Sequence, residues 1–226
     1  RNNVDNALKY MKQNNINVIS VFDDDYPQML KEIYAPPICL YIKGNLQLLK
    51  MQNISLIGCR KCSQYGKKTA YYFSYNLSKA GFNIVSGLAR GIDSYSHIGC
   101  LAAKGKTIAV MGSGLDNIYP KENEQLVNEI IKQNGAIITQ YPLGTKPEKN
   151  NFPARNRIIS GLSKAVLVIE ARAKSGTLIT VDFALEQGKD VFAVPGNINS
   201  ANSVGTNELI KQGAIPVCNY KDILDN

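Results

Sequence analysis

Residues 54–91 read ISLIGCRKCSQYGKKTAYYFSYNLSKAGFNIVSGLARG, and this stretch decides the fold. It opens with a short apolar run at 54–57 and closes with another at 84–85. Between them Ala70, Phe73, Leu77 and Ala80 step by three or four residues, which puts one apolar face on a helix. Each run ends in glycine and cations: Gly58-Cys59-Arg60-Lys61 after the first, and Ser86-Gly87-Leu88-Ala89-Arg90-Gly91 after the second. Further runs follow at 107–111, 136–139, 165–169 and 191–194. All are continuous rather than alternating, as expected of strands buried on both faces of a parallel sheet. Leu178, Val181 and Leu185 repeat the helical step. Strands alternating with helices predict a doubly wound α/β sheet with right-handed crossovers.

Working outward, residues 1–50 read as an N-terminal α/β appendage packed on a main domain of 51–226. A helix is expected over 4–13, a strand over 18–22, a turn at 23–27 followed by a short helix, and a strand over 38–42 after Pro36-Pro37. The chain has 226 residues, 44% hydrophobic and 19% charged, which suits a packed globular core rather than disorder. No apolar run approaches the roughly 20 residues that cross a bilayer, and no signal-peptide pattern opens the chain, so a soluble cytoplasmic protein is expected. The first residue is Arg1 rather than Met, which leaves room for segments beyond either end. Lys and Arg total 26 against 18 Asp and Glu, a net charge of +8. That balance suits a solubilising surface or a footprint for nucleic acid, and position must decide. The five cysteines are an odd number without secretory context and read as reduced thiols. Cys59, Cys62, His97 and Cys100 have the residue types of a zinc site, although no metal is expected.

Ligands of such sheets lie beyond the carboxyl ends of the strands, and here those loops share one character. To the two already quoted, the chain adds Gly112-Ser113-Gly114, then Arg172-Ala173-Lys174-Ser175-Gly176-Thr177, then Pro195-Gly196-Asn197. Glycine lets backbone amides approach a phosphate, a following helix N-terminus adds its dipole, and Arg or Lys supplies full charge. Tight turns explain any one such loop; several at one edge point to an anion site. Nucleotide motifs fail. Gly112-x-Gly114 has Asn117 where a dinucleotide fingerprint needs its third glycine, and Gly105-Lys106-Thr107 precedes a strand, where a P-loop follows one. No cofactor is expected. His97, the single histidine, lies on an expected helix and reads as packed rather than catalytic. The segment Lys149-Asn150-Asn151-Phe152-Pro153-Ala154-Arg155-Asn156-Arg157 sets an aromatic among cations just before a helix. Phe152 there suits base stacking or core packing, and spacing leaves both open.

These residues resemble the DNA processing protein A (DprA/Smf) family over about residues 19–216. The resemblance begins with Tyr26-Pro27 and Leu40-Tyr41-Ile42-Lys43-Gly44. Its most specific parts are the 86–93 loop, Phe152-Pro153-Ala154-Arg155-Asn156-Arg157, Ser175-Gly176-Thr177-Leu178-Ile179-Thr180 and Val191-Phe192-Ala193-Val194-Pro195-Gly196. It implies an extended Rossmann-like fold, single-stranded DNA binding, homodimerisation and loading of the recombinase RecA during natural transformation, without catalysis. Carried over by motif, the DNA contacts are Gly58, Cys59 and Arg60; Ser86, Gly87, Arg90 and Gly91; Lys149 and Phe152; Arg155, Asn156 and Arg157; and Lys174, Ser175 and Gly176. Cys59 stands where the family usually has Ser, and Gln140 where it often has Glu. Neither the N-terminal helical domain nor the C-terminal winged helix of many members is visible.

The enzymatic rival is a nucleotide phosphoribohydrolase of the lysine-decarboxylase-like family, whose Gly-Gly-x-Gly-Thr-x-x-Glu loop carries a catalytic glutamate. Thr180 stands at that position and cannot ionise near neutral pH. A nucleotide-sensing domain is the third reading.

Overall fold

The computed structural model describes residues 2–226, so Arg1, the first position of the expected appendage, lies outside the described residues. In chain order the elements are α1 (Asn2–Gln13), β1 (Ile16–Ser20), α2 (Gln28–Lys31), β2 (Cys39–Gly44), β3 (Asn53–Gly58), α3 (Gln64–Lys79), β4 (Asn83–Ser86), α4 (Ile92–Ala102) and β5 (Thr107–Val110). They continue as α5 (Glu124–Lys132), β6 (Ala136–Thr139), α6 (Asn151–Gly161), β7 (Ala165–Glu170), α7 (Gly176–Glu186), β8 (Asp190–Ala193), α8 (Val204–Lys211), β9 (Ile215–Pro216) and α9 (Lys221–Leu224). Among the described residues the strands form one sheet of nine, in the order β1-β2-β6-β5-β4-β3-β7-β8-β9. From β3 the chain lays β4, β5 and β6 to one side and β7, β8 and β9 to the other, all parallel. The expected doubly wound, mainly parallel sheet is therefore present.

Residues 1–50 give this sheet its antiparallel end: β1 pairs with β2, and β2 with β6. The boundary drawn at residue 50 falls at the end of a 3-10 turn, Leu46–Lys50, between that end and β3. β1 lies two residues earlier than its apolar pattern suggests. Asn15, at φ 52°, turns the chain out of α1, and pairing starts at Ile16 opposite Lys43. Phe22, expected inside this strand, is left 85% exposed beyond it. β9 was not expected; it is two residues long and ends in Pro216, too short to leave a pattern.

Both faces of the parallel strands are covered, which is why their runs are continuous. Val85, Ile108, Val110, Val166 and Val168 face α6 and α7, where Ile158, Ile159 and Val181 pack on them. The alternate residues Ile54, Leu56, Ile84 and Leu167 face Ala70, Phe73 and Leu77 of α3. Burying such side chains stabilises by about 1.5–3 kcal/mol each, so the sheet makes a rigid platform for its edge loops. No helix among the described residues is long and apolar enough to cross a membrane.

Candidate nucleic-acid interface

Strand order reverses between β3 and β7, and the loops leaving these strands diverge there. A cleft of about 690 Å³ opens at that point on the carboxyl edge. Ten of the sequence-derived residues line it: Gly58, Cys59, Arg60, Lys149, Phe152, Arg155, Asn156, Lys174, Ser175 and Gly176. Lys61, Arg172 and Tyr119 join them.

Phe152 organises the middle of the cleft. It lies in the first turn of α6, not in an extended segment ahead of it, because Pro153 falls where a helical turn leaves its missing N–H without consequence. The ring is half-buried. Arg60 Cζ lies 5.2 Å from its centroid, Arg155 Cζ 6.0 Å, and the Tyr119 ring 5.6 Å, tilted by 45°. A Cβ on Gly112 would come within 2.9 Å of it, so that glycine is needed to seat the ring. Of stacking and packing, left open by the sequence, packing is seen: the ring rests against Gly112 and Tyr119, and it also lines the cleft.

Both arginines of α6 have structural tasks. Arg155 is buried, and its guanidinium donates to Gly87 O at 2.6 Å and to Val110 O. Burial lowers its pKa to about 10, with Asp93 nearby opposing the drop, so it stays charged near neutral pH. Asp93 accepts from the amides of Gly87 and Ala89 at 3.1 and 3.3 Å, and burial pushes its carboxyl up. The amides of the 86–91 loop, expected to cradle a phosphate, are thus partly spent on Asp93. Its glycines serve packing: a Cβ on Gly87 would meet Arg155 at 2.7 Å, and Gly91, at φ +75°, sits against the carbonyls of Cys59 and Arg60. Ser86 is a correction outright. It is fully buried and donates to Leu56 O at 2.7 Å, so it holds strands together rather than meeting solvent. Arg157 is turned away from the cleft lining. Two residues from Arg155, it leaves α6 in another direction and donates to Ala35 O at 2.8 Å, Gln140 Oε1 at 2.6 Å and Ala154 O. It therefore ties α6 to the N-terminal segment. Arg90 is exposed beside the cleft but forks onto Glu122, both bonds 2.7 Å.

The helix N-termini at this edge differ in the same way. That of α3 already holds a carboxylate, since Glu170 accepts from Ser63 N at 2.9 Å and Ser63 Oγ at 2.5 Å. That of α7 is open. Ser175 Oγ caps Thr177 N at 3.2 Å, while Gly176 is exposed with nothing within 4 Å of where a Cβ would stand. With exposed Lys174 beside it, this helix end is open to an anion. Cys59 is buried, burial raises its thiol pKa, and its N–H donates to Glu170 O at 2.9 Å. His97 is buried on Thr107 Oγ1 at 2.7 Å, and burial lowers its pKa to about 3. No group of three or more His, Cys, Asp or Glu that could hold a metal occurs among the described residues. Tyr119 escaped the sequence reading; an aromatic a few residues beyond the Gly112-Ser113-Gly114 loop was its signal.

The DNA recombination-mediator protein A family model matches residues 17–226. Protein Smf of Escherichia coli is 42% identical over 226 residues, all of this chain but 60% of that protein. The crystal structure of DNA processing protein A from Streptococcus pneumoniae is 42% identical, with TM-score 0.89 over 96% of this chain and 77% of that one. DNA processing protein A from Helicobacter pylori, known in a single-stranded DNA binding mode, is 31% identical, with TM-score 0.83 over 93% and 94% of the two chains.

Proposed function

The chain belongs to the DNA recombination-mediator protein A family, and on that premise we propose that it binds single-stranded DNA in the cleft between β3 and β7. The observation that carries this is Phe152 held beside Arg60 in a cleft edged by Lys149 and Lys174. An aromatic that any base can stack on, with cations along the wall for the backbone, is how single strands are held without sequence readout. Arg60 and Lys149 take phosphates flanking the base on Phe152, and the open N-terminus of α7 with Lys174, Ser175 and Gly176 takes the next. Arg155 and Asp93 brace that wall from beneath. Gly87, Arg90 and Gly91 shape its far rim.

As a homodimer in the cytoplasm, the protein passes this strand to RecA during natural transformation. Residues 51–226 form the DNA-binding domain and residues 1–50 its appendage. The role is one of binding, not catalysis, because Thr180 offers no ionisable group to the cleft it lines. The test is a titration with a single-stranded oligonucleotide, the matching duplex and mononucleotides at two salt concentrations. Preference for the single strand with a steep salt dependence is expected. Equal affinity for duplex refutes the reading, and tight mononucleotide binding with no gain from length replaces it with nucleotide sensing.

A further inference from the structure

The motif that ends in Val194-Pro195-Gly196 takes no part in the cleft, yet it lines a second groove on the same carboxyl edge. This groove, about 380 Å³, lies where β8 and β9 end against α3, within the ~300–1,000 Å³ range of small-ligand sites. Tyr65, Lys68 and Tyr72 line it from one face of α3, at i, i+3 and i+7. Both tyrosine rings are open to solvent, 51% and 39% exposed. Both are also fixed. Tyr65 Oη donates to Pro195 O at 3.1 Å, and Tyr72 stands edge-on to Phe73 and Tyr220, with centroids 5.4 and 6.3 Å away. Rings held in place with exposed surface lose little entropy when a flat partner lands on them. Charge agrees: α3 carries Lys67, Lys68 and Lys79 and no acidic residue. Asp222, whose carboxylate accepts from the amide of the groove residue Cys218, is occupied by the amides of Cys218 and Asn219 at 2.7 and 3.0 Å.

The groove lies near the cleft. Lys61 lines the cleft and Tyr65 lines the groove, four residues apart and so within about 14 Å. Asn202 braces the cleft end of this stretch, donating to Lys61 O at 3.0 Å and accepting from Arg172 Nε at 2.9 Å. About four stacked nucleotides at ~3.4 Å each cover that distance. We propose that a single strand leaving the cleft past Lys61 runs on over α3, with bases on Tyr65 and Tyr72 and a phosphate at Lys68. This rests on the single-stranded DNA reading of the cleft and makes the site longer than the cleft alone.

The experiment is fluorescence anisotropy with oligothymidylates of about 5 and about 15 nucleotides. It compares the unaltered protein with Arg60→Ala, Tyr65→Ala, Tyr72→Ala and Tyr65→Phe, with melting and sedimentation recorded for each. The two alanine variants on α3 are expected to weaken the long oligonucleotide about tenfold and leave the short one unchanged. Tyr65→Phe keeps its ring but loses the bond to Pro195, so it should hold the long oligonucleotide more tightly than Tyr65→Ala does, while Arg60→Ala should weaken both lengths. Unchanged binding of the long oligonucleotide by both alanine variants overturns the extension. Equal loss at both lengths overturns it too, since the defect then lies in the cleft or the fold. A change in sedimentation without a change in DNA binding assigns the face to a second copy of the chain. Failure of the cleft itself reads differently: Arg60→Ala would then leave both lengths bound as before.

Discussion

Truncating Phe152 to alanine separates the packing its ring provides from the base stacking proposed for it. Full burial of a phenylalanine makes its loss cost about 3–5 kcal/mol of stability; this ring is half-buried, so about 2 kcal/mol is expected. In a domain of this size that lowers the melting temperature by roughly 4–8 °C. The loss includes a cation–π contact to exposed Arg60 at 5.2 Å, worth about 0.5–1 kcal/mol, and another to buried Arg155 at 6.0 Å. Binding loses more in proportion. One stacked base contributes roughly 1–3 kcal/mol, a 5- to 150-fold weakening measured by anisotropy with a short oligothymidylate. Because no charge is removed, the slope of log affinity against log salt should not change. Phe152→Tyr keeps the ring and should bind nearly as the original. The reasoning is refuted if Phe152→Ala melts far lower yet binds with full affinity, for the ring would then serve the core alone.

Arg60→Ala should cost about 1–3 kcal/mol of binding and shallow the salt slope by roughly one unit, with the melting temperature nearly unchanged; a parallel fall in melting would make Arg60 structural. Arg155→Met should do the reverse, losing about 3 kcal/mol or more of stability in urea unfolding because buried Asp93 and two carbonyls lose their partner; normal stability with lost binding would make Arg155 a direct contact. His97 has a folded pKa of about 3 against an ordinary 6.5, so its contribution is complete above pH 6.5 and is lost as pH falls toward 3. Each pH unit below 6.5 should cost up to ~1.4 kcal/mol, about 2 kcal/mol by pH 5. Asp93, raised by burial, pulls the opposite way, so the measurement is the difference in urea stability between the original chain and His97→Gln at pH 7 and pH 5; a difference that does not change with pH contradicts the burial account.

The fold was legible because parallel strands covered on both faces leave continuous apolar runs, and because the carboxyl edge collects glycine and cations in one loop after another. Less of the site could be read, for reasons visible in single residues. Arg155 and Arg157 carry the same charge two positions apart, but on a helix such neighbours diverge. Phe152, Arg155 and Asn156, at i, i+3 and i+4, share the cleft side, and Arg157 turns toward Ala35. Placing the start of α6 at Asn151 would have sorted them. The capture of the α3 N-terminus by Glu170, and of two loop amides by Asp93, depends on residues 107 and 4–6 positions away meeting in space. No local pattern distinguishes such an occupied anion site from the open one at α7. β1 slipped because a turn at Asn15, not hydrophobicity, sets where pairing begins.

The central claim is that a base of single-stranded DNA rests on Phe152 in the cleft between β3 and β7. Ultraviolet crosslinking of a short oligothymidylate carrying one photoreactive base, with the attached peptide mapped by mass spectrometry, tests it most directly. The account predicts attachment at Phe152 or at Tyr119 beside it, lost when unlabelled single strand competes and kept when duplex does. Attachment confined to surfaces away from this cleft, with Phe152 and Tyr119 unmodified, would contradict it.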